Sequence, residues 1–131
     1  MSTNQYFKVP IPKGYRIFFQ EMEISGVGYR KSEVAKAFSG NQVSLGIEHE
    51  PKNKHDSNAL KVIAFKKGWF GTKKLHIGYV PKNVAKTIIS KNLNNNLLPR
   101  PKEIWVGDKG GIKINIEILG LKSDYHKLEN A

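Results

Sequence analysis

The chain has 131 residues, no cysteine and a formal net charge of +11, with a pI near 9.9. That length fits one domain able to bury roughly two thirds of its unfolded surface, and the lack of thiols excludes a disulfide framework and any thiolate metal site. No apolar run approaches the ~20 residues of a membrane span, and the amino terminus lacks the apolar centre of a signal peptide, so a soluble, unexported, cytosolic protein is expected.

Residues 1–14 are polar, carry Pro10 and Pro12, and read as a flexible N-terminal arm or an edge segment. Residues 15–27 have a strand's composition, with Phe18, Gln20, Met22 and Ile24 alternating against Phe19, Glu21, Glu23 and Ser25. Gly26-Val27-Gly28 then lets the backbone turn. Ser32 is expected to cap a short helix with Val34, Ala35 and Phe38 on one face and Gly40 as its stop. Two strands, 42–48 and 59–65, flank a polar connection rich in turn residues: Pro51, Asn53, Asp56, Ser57 and Asn58.

Residues 66–74 read as a hairpin tip in which four lysines surround Trp69 and Phe70. A fourth strand over 75–80 runs into Pro81, well suited to the first position of a helix. Val84, Ala85, Ile88 and Ile89 make 82–91 amphipathic. Residues 92–101 read as a loop closed by Pro99-Arg100-Pro101, a fifth strand covers 103–106, and 107–111 is a hairpin turn. In the sixth strand Ile112, Ile114, Ile116 and Ile118 alternate with Lys113, Asn115, Glu117 and Leu119. Residues 121–131 read as a polar tail.

Six strands and two short helices predict a mainly β domain over 15–120, a modified OB-like small barrel, with a split α+β sheet as the alternative. The charge is concentrated within it. Of 22 basic residues 19 are Lys, and between Lys52 and Lys91 ten Lys face one acid, Asp56. Such a field attracts polyanions. A Lys-rich surface that serves only solubility would explain the count but not the near absence of acids from that segment.

Three blocks carry a resemblance: Ile24-Ser25-Gly26-Val27-Gly28-Tyr29-Arg30; Val43-Ser44-Leu45 through Glu50-Pro51-Lys52-Asn53-Lys54-His55-Asp56-Ser57-Asn58-Ala59-Leu60-Lys61-Val62; and Ile77-Gly78-Tyr79-Val80-Pro81-Lys82. In this order and spacing they resemble the HIRAN domain over about 23–119, the middle block being the specific one. The resemblance implies an OB-like module that binds single-stranded DNA, found fused to fork-remodelling helicases and as stand-alone bacterial proteins in a repair or replication setting. It also implies capture of a free 3′-hydroxyl, with Asp56 as the acceptor, Asn53 as its companion in Asn-x-x-Asp, and Tyr29, Tyr79 and Lys82 from the flanking blocks. Lys54 and His55 stand where helicase-type members commonly have Pro and an aromatic, and Gly28 and Arg30 also depart from that pattern.

On chemistry alone, Tyr29, His55 and Tyr79 supply stacking faces, and Arg30, Lys52, Lys54, Lys61 and Lys82 can neutralise phosphates. Asp56 is as readily a turn residue as an acceptor, since an aspartate here can bond its own backbone. His49, His55, His76 and His126 share no ligand-like spacing, so no metal or cofactor is expected. No carboxylate cluster, nucleophile motif or phosphate-cradling glycine loop is present, so no enzyme is expected. The expected partner is single-stranded DNA, with RNA sharing the same charge logic, bound by a monomer of the bacterial cytosol or nucleoid, alongside a protein of a repair or restart complex. The competing class is a protein-interaction adaptor that uses the Trp69-Phe70 tip and a sheet edge.

Overall fold

A computed structural model describes residues 3–40 and 43–129. Within them run β1 (Thr3–Tyr6), β2 (Tyr15–Glu23), a 3-10 turn (Val27–Tyr29), α1 (Lys31–Ala37), β3 (Ser44–His49), β4 (Leu60–Gly68), β5 (Gly71–Tyr79), α2 (Lys82–Ser90), β6 (Leu98–Val106), β7 (Ile112–Leu121), a second 3-10 turn (Lys122–Asp124) and α3 (Tyr125–Glu129). The strands form two antiparallel sheets, ordered β1-β6-β7-β2 and β3-β4-β5. The class is mainly β, as the alternation predicts. Among the described residues the count is seven strands rather than six, and they pair as two sheets rather than one closed barrel.

Strand β7 is central to the first sheet because its isoleucines keep period two: Ile114, Ile116 and Ile118 are buried. The face expected to be wet closes toward the end of the strand, where Glu117 is buried beside Arg100 and Leu119 is buried too. Strand β2 breaks its alternation with register shifts between Ile17 and Phe19 and between Phe19 and Met22, which is how bulges bend a strand. The chain then changes sheets within two residues. Ile24 N–H donates to Ile114 O in β7, while Ser25 exchanges both backbone hydrogen bonds with Tyr79 in β5, each 2.9 Å.

Gly78 is what permits this crossing. A Cβ there would lie 2.4 Å from Ile24 Cγ2 and 2.6 Å from Ser25 O, so only a glycine lets the two backbones approach.

Several boundaries differ from the sequence reading. The segment read as a flexible arm or an edge supplies the edge strand β1, paired from Thr3↔Val106 to Tyr6↔Glu103. Arg100 anchors the chain beyond β1, its guanidinium donating to Val9 O at 2.8 Å. Residues 98–101, read as loop, open β6, and its two prolines are tolerated because β1 pairs only with the far half of that strand. The C-terminal segment does not trail off. Tyr125 packs edge-on against Phe18 with ring centroids 5.5 Å apart and lies beneath the Arg16 guanidinium at 3.4 Å. In α1 the cap position falls to Arg30 rather than Ser32, since the 3-10 turn runs straight into the helix, and Ala37 rather than Ala35 joins Val34 in the core. Gln42, expected in a strand, lies outside the described residues, as do Met1, Ser2, Asn41, Asn130 and Ala131.

Candidate functional site

The polar connection between β3 and β4 is built by its own side chains. Glu50 N–H donates to Ala59 O at 2.9 Å, extending the β3–β4 ladder by one rung, and Ala59 N–H donates to Asp56 O at 3.0 Å. Between these rungs Asn53 Oδ1 accepts the N–H groups of His55 (2.9 Å) and Asp56 (3.0 Å), and Asp56 Oδ1 accepts Asn58 N–H at 3.0 Å. Both are side-chain mimics of a backbone turn. Asn53 is therefore architecture. One oxygen of Asp56 is architecture as well, and its other oxygen takes no hydrogen bond from the described residues.

Glu50 joins this loop to the rest of the site. Its Oε1 accepts Asn53 Nδ2 at 2.6 Å and Tyr79 OH at 2.9 Å, and its Oε2 faces Lys61 Nζ at 3.3 Å. The Asn53 hydrogen bond foremost, then those from Tyr79 and Lys61, hold the carboxyl down at about 2, against the desolvation that opposes them. Burial, followed by the acceptor at Glu50, pushes the Tyr79 phenol up. Sequence reasoning missed Glu50, although a carboxylate beside a +9 segment, with Lys61 across the ladder, was a signal that could have found it.

Tyr79 is the meeting point of the three blocks. Its ring is edge-on to His76, centroids 4.8 Å apart, and the Arg30 guanidinium carbon lies 5.9 Å from its centroid. Gly26, at φ 78°, starts the 3-10 turn and passes 3.8 Å from the Tyr79 ring as measured from an added Cβ. Burial, with Arg30 adding to it, lowers the His76 pKa and so favours the neutral ring. Its Nε2 bonds Gly78 O and the Nε2 of His49 bonds Ser57 O, each at 2.8 Å. Among the described residues no three His, Asp or Glu side chains gather as a metal site.

Around this network the remaining residues stand in solvent. Tyr29 is 96% exposed, and Lys52, Lys54, His55 and Lys82 are exposed as well. Lys61 is not: it is half-buried and shared between Glu50 and Glu48, the latter at 3.8 Å. The structure thus brings together Arg30, Asn53, Asp56, Lys61 and Tyr79 through Glu50, and leaves Tyr29, Lys52, Lys54, His55 and Lys82 as exposed groups flanking it. The arrangement offers ring faces, exposed cations and a carboxylate-bearing loop held by its own side chains.

A family model described as the HIRAN domain matches residues 17–121, taking in most of β2 and all of α1, α2 and β3 to β7. Among solved structures the chain is similar to the crystal structure of the HIRAN domain of human HLTF, with 16% sequence identity, a TM-score of 0.48, and coverage of 91% of this chain and 93% of that one. No curated protein matches the chain. With the greater part of its length matched by the family model, the chain belongs to the HIRAN domain family.

Proposed function

We propose that this protein is a non-enzymatic nucleic-acid-binding module that holds single-stranded DNA and favours a free 3′-hydroxyl end. The observation that carries the reading is the convergence of the three blocks on one carboxylate: Arg30 beside Tyr79, Tyr79 and Asn53 on Glu50, and Asn53 holding the backbone of the Asp56 turn. Pairing inside the site leaves the exposed Lys52, Lys54 and Lys82 to meet phosphates. Terminal bases stack on Tyr29 and His55, a contact worth about 1–3 kcal/mol per base.

The second oxygen of Asp56 fits the terminal hydroxyl. A carboxylate repels phosphate and welcomes a donor, so this position rewards a strand that ends and penalises one that continues. The module acts as a cytosolic monomer on strand ends exposed during repair or replication.

Fluorescence anisotropy with a short labelled oligonucleotide ending in 3′-OH or 3′-phosphate, repeated across salt, tests the reading. Binding tighter than about 100 μM at low salt, with preference for the hydroxyl, is the expected result. No binding of either strand would overturn the nucleic-acid reading. Equal binding of both, unchanged in Asp56→Ala, would remove the end preference, and equal or tighter binding of the same sequence in RNA would move the substrate class.

A further inference from the structure

The β3–β4–β5 sheet has one face in the core and one turned away from it, and its outward face is not an ordinary wet surface. Cross-strand pairing places Lys61 beside Tyr79, Ile63 beside His76, Phe65 beside Lys74 and Lys67 beside Thr72 on that face, Ile63 lying buried beneath it. The inward rows instead carry the buried Val62, Ala64 and Leu75. On the outward face three rings therefore succeed one another along the β4–β5 ribbon, Tyr79, His76 and Phe65, with Lys61, Lys74 and Lys67 interleaved. Phe65, paired with Ser44 in β3, reaches diagonally over Gly46, where a Cβ would come within 2.8 Å of the ring. The acids on this face are paired with two of these lysines, Glu48 with Lys74 at 2.6 Å and Glu50 with Lys61 at 3.3 Å, so Lys67 is the interleaved cation that carries no acid partner among the described residues.

The ribbon ends in a two-residue loop, Trp69-Phe70, between the paired Gly68 and Gly71. Such loops ordinarily carry Asn-Gly or Gly-Gly. Here Gly71 takes the unusual backbone, φ 117°, while both aromatics keep negative φ and stand fully exposed. Two large exposed rings placed beside the exposed Lys67 and Lys73, Lys66 being bonded to Lys36 O and Ser39 at the end of α1, match a ligand that presents flat apolar faces and negative charge together.

We propose that the outward face of β4–β5 is a track for the body of a single DNA strand, leading from the Tyr79 end to a terminal stacking clamp at Trp69 and Phe70. The proposal rests on the reading of the Asp56 loop as a strand-end site. It adds a polarity, the strand running from its 3′ end at that loop toward its 5′ side at the hairpin tip. It also adds a footprint. From Lys61 to Gly68 the ribbon spans about 23 Å at ~3.3 Å per residue, the length of about seven stacked nucleotides at ~3.4 Å each, inside the range of roughly 4–16 nucleotides typical of small β modules.

The experiment is a length series of oligothymidylates with 3′-OH ends, three, six, nine and twelve nucleotides long, measured by competition so that short strands need no label. Affinity should climb to about seven nucleotides and then level. A Trp69→Ala/Phe70→Ala variant should bind the trimer within about twofold of the parent and the twelvemer about tenfold or more weakly. In Trp105→Phe, which leaves Trp69 as the single tryptophan, the long strands should quench fluorescence and the trimer should not. Equal loss for trimer and twelvemer, or an unchanged twelvemer affinity with no quenching of Trp69, would overturn the track. In the latter case, binding of the trimer with a 3′-OH preference leaves the strand-end reading intact. If no length binds, both readings fall, and quenching by anionic lipid vesicles alone would assign the tip to a membrane surface instead.

Discussion

Replacing Glu50 by Gln removes one charge and almost no volume, and its consequences can be worked through. In the native protein the carboxylate serves Asn53, Tyr79 and Lys61 at once and its pKa falls from 4.5 to about 2. Undamped, that shift corresponds to at most ~3–4 kcal/mol of stability. The side chain is 29% exposed, and solvent screening brings the expected loss in Glu50→Gln to about 1–2 kcal/mol, a fall in Tm of roughly 3–8 °C for a domain of this size. The pH dependence comes from the sign of the shift. A depressed carboxylate contributes stability that is full above its unfolded value of 4.5 and is lost as pH falls toward 2, so parent and variant should converge across that window. Urea unfolding of both proteins between pH 7 and pH 3, followed by tryptophan fluorescence, measures the gap. A gap absent at pH 7, or one that stays constant down to pH 3, would refute the idea that the carboxylate organises the loop.

Other outcomes separate the roles of single residues. Asp56→Asn keeps an acceptor for Asn58 N–H and should leave stability within about 0.5 kcal/mol while abolishing the 3′-OH preference, whereas Asp56→Ala should also lose about 1 kcal/mol of stability by thermal melts; an intact preference in Asp56→Asn would dismiss the acceptor role. Three exposed lysines and Arg30 on the phosphates predict a slope of log affinity on log salt of about −3 for a single strand, read from anisotropy titrations, and a slope near zero contradicts ionic contact. Gly78→Ala forces a methyl against Ile24 and Ser25 O, so a loss of about 1–3 kcal/mol or more is expected by urea unfolding, and a neutral result would mean that the two backbones can part at little cost.

Much of this molecule is legible in its sequence because local pattern and final environment agree. The isoleucines of β7, the amphipathic α2 behind Pro81 and the turn residues of 50–58 sit as their periodicities indicate. Elements whose partners are distant in sequence were legible only in part. Strand β1 has four exposed residues and acquires order only by pairing with β6, about a hundred positions away, and α3 is fixed by Arg16 and Phe18 at the far end of the chain. The site divides along the same line. Tyr29, Lys52, Lys54 and His55 could be picked out as exposed because turn chemistry keeps them outside, while the hub at Glu50 depends on a tyrosine 29 residues downstream, and no window of sequence holds both. Lys61 shows the same limit: in sequence it is a cation that suits phosphate, while its ladder position sets it between two glutamates.

The corner at Ile24 and Ser25 gives the domain a seam. Consecutive residues bond to different sheets, and the paired bonds between Ser25 and Tyr79 stitch one sheet to the other. Arg30 lies past the corner on one side and Tyr79 borders it on the other, so a ligand gripped by both straddles the seam. Occupancy then acts as a rivet. The amides of Ser25 and Tyr79 should exchange with solvent most slowly in the loaded protein, and mechanical pull on a captured strand would be shared by both sheets instead of peeling one hairpin away.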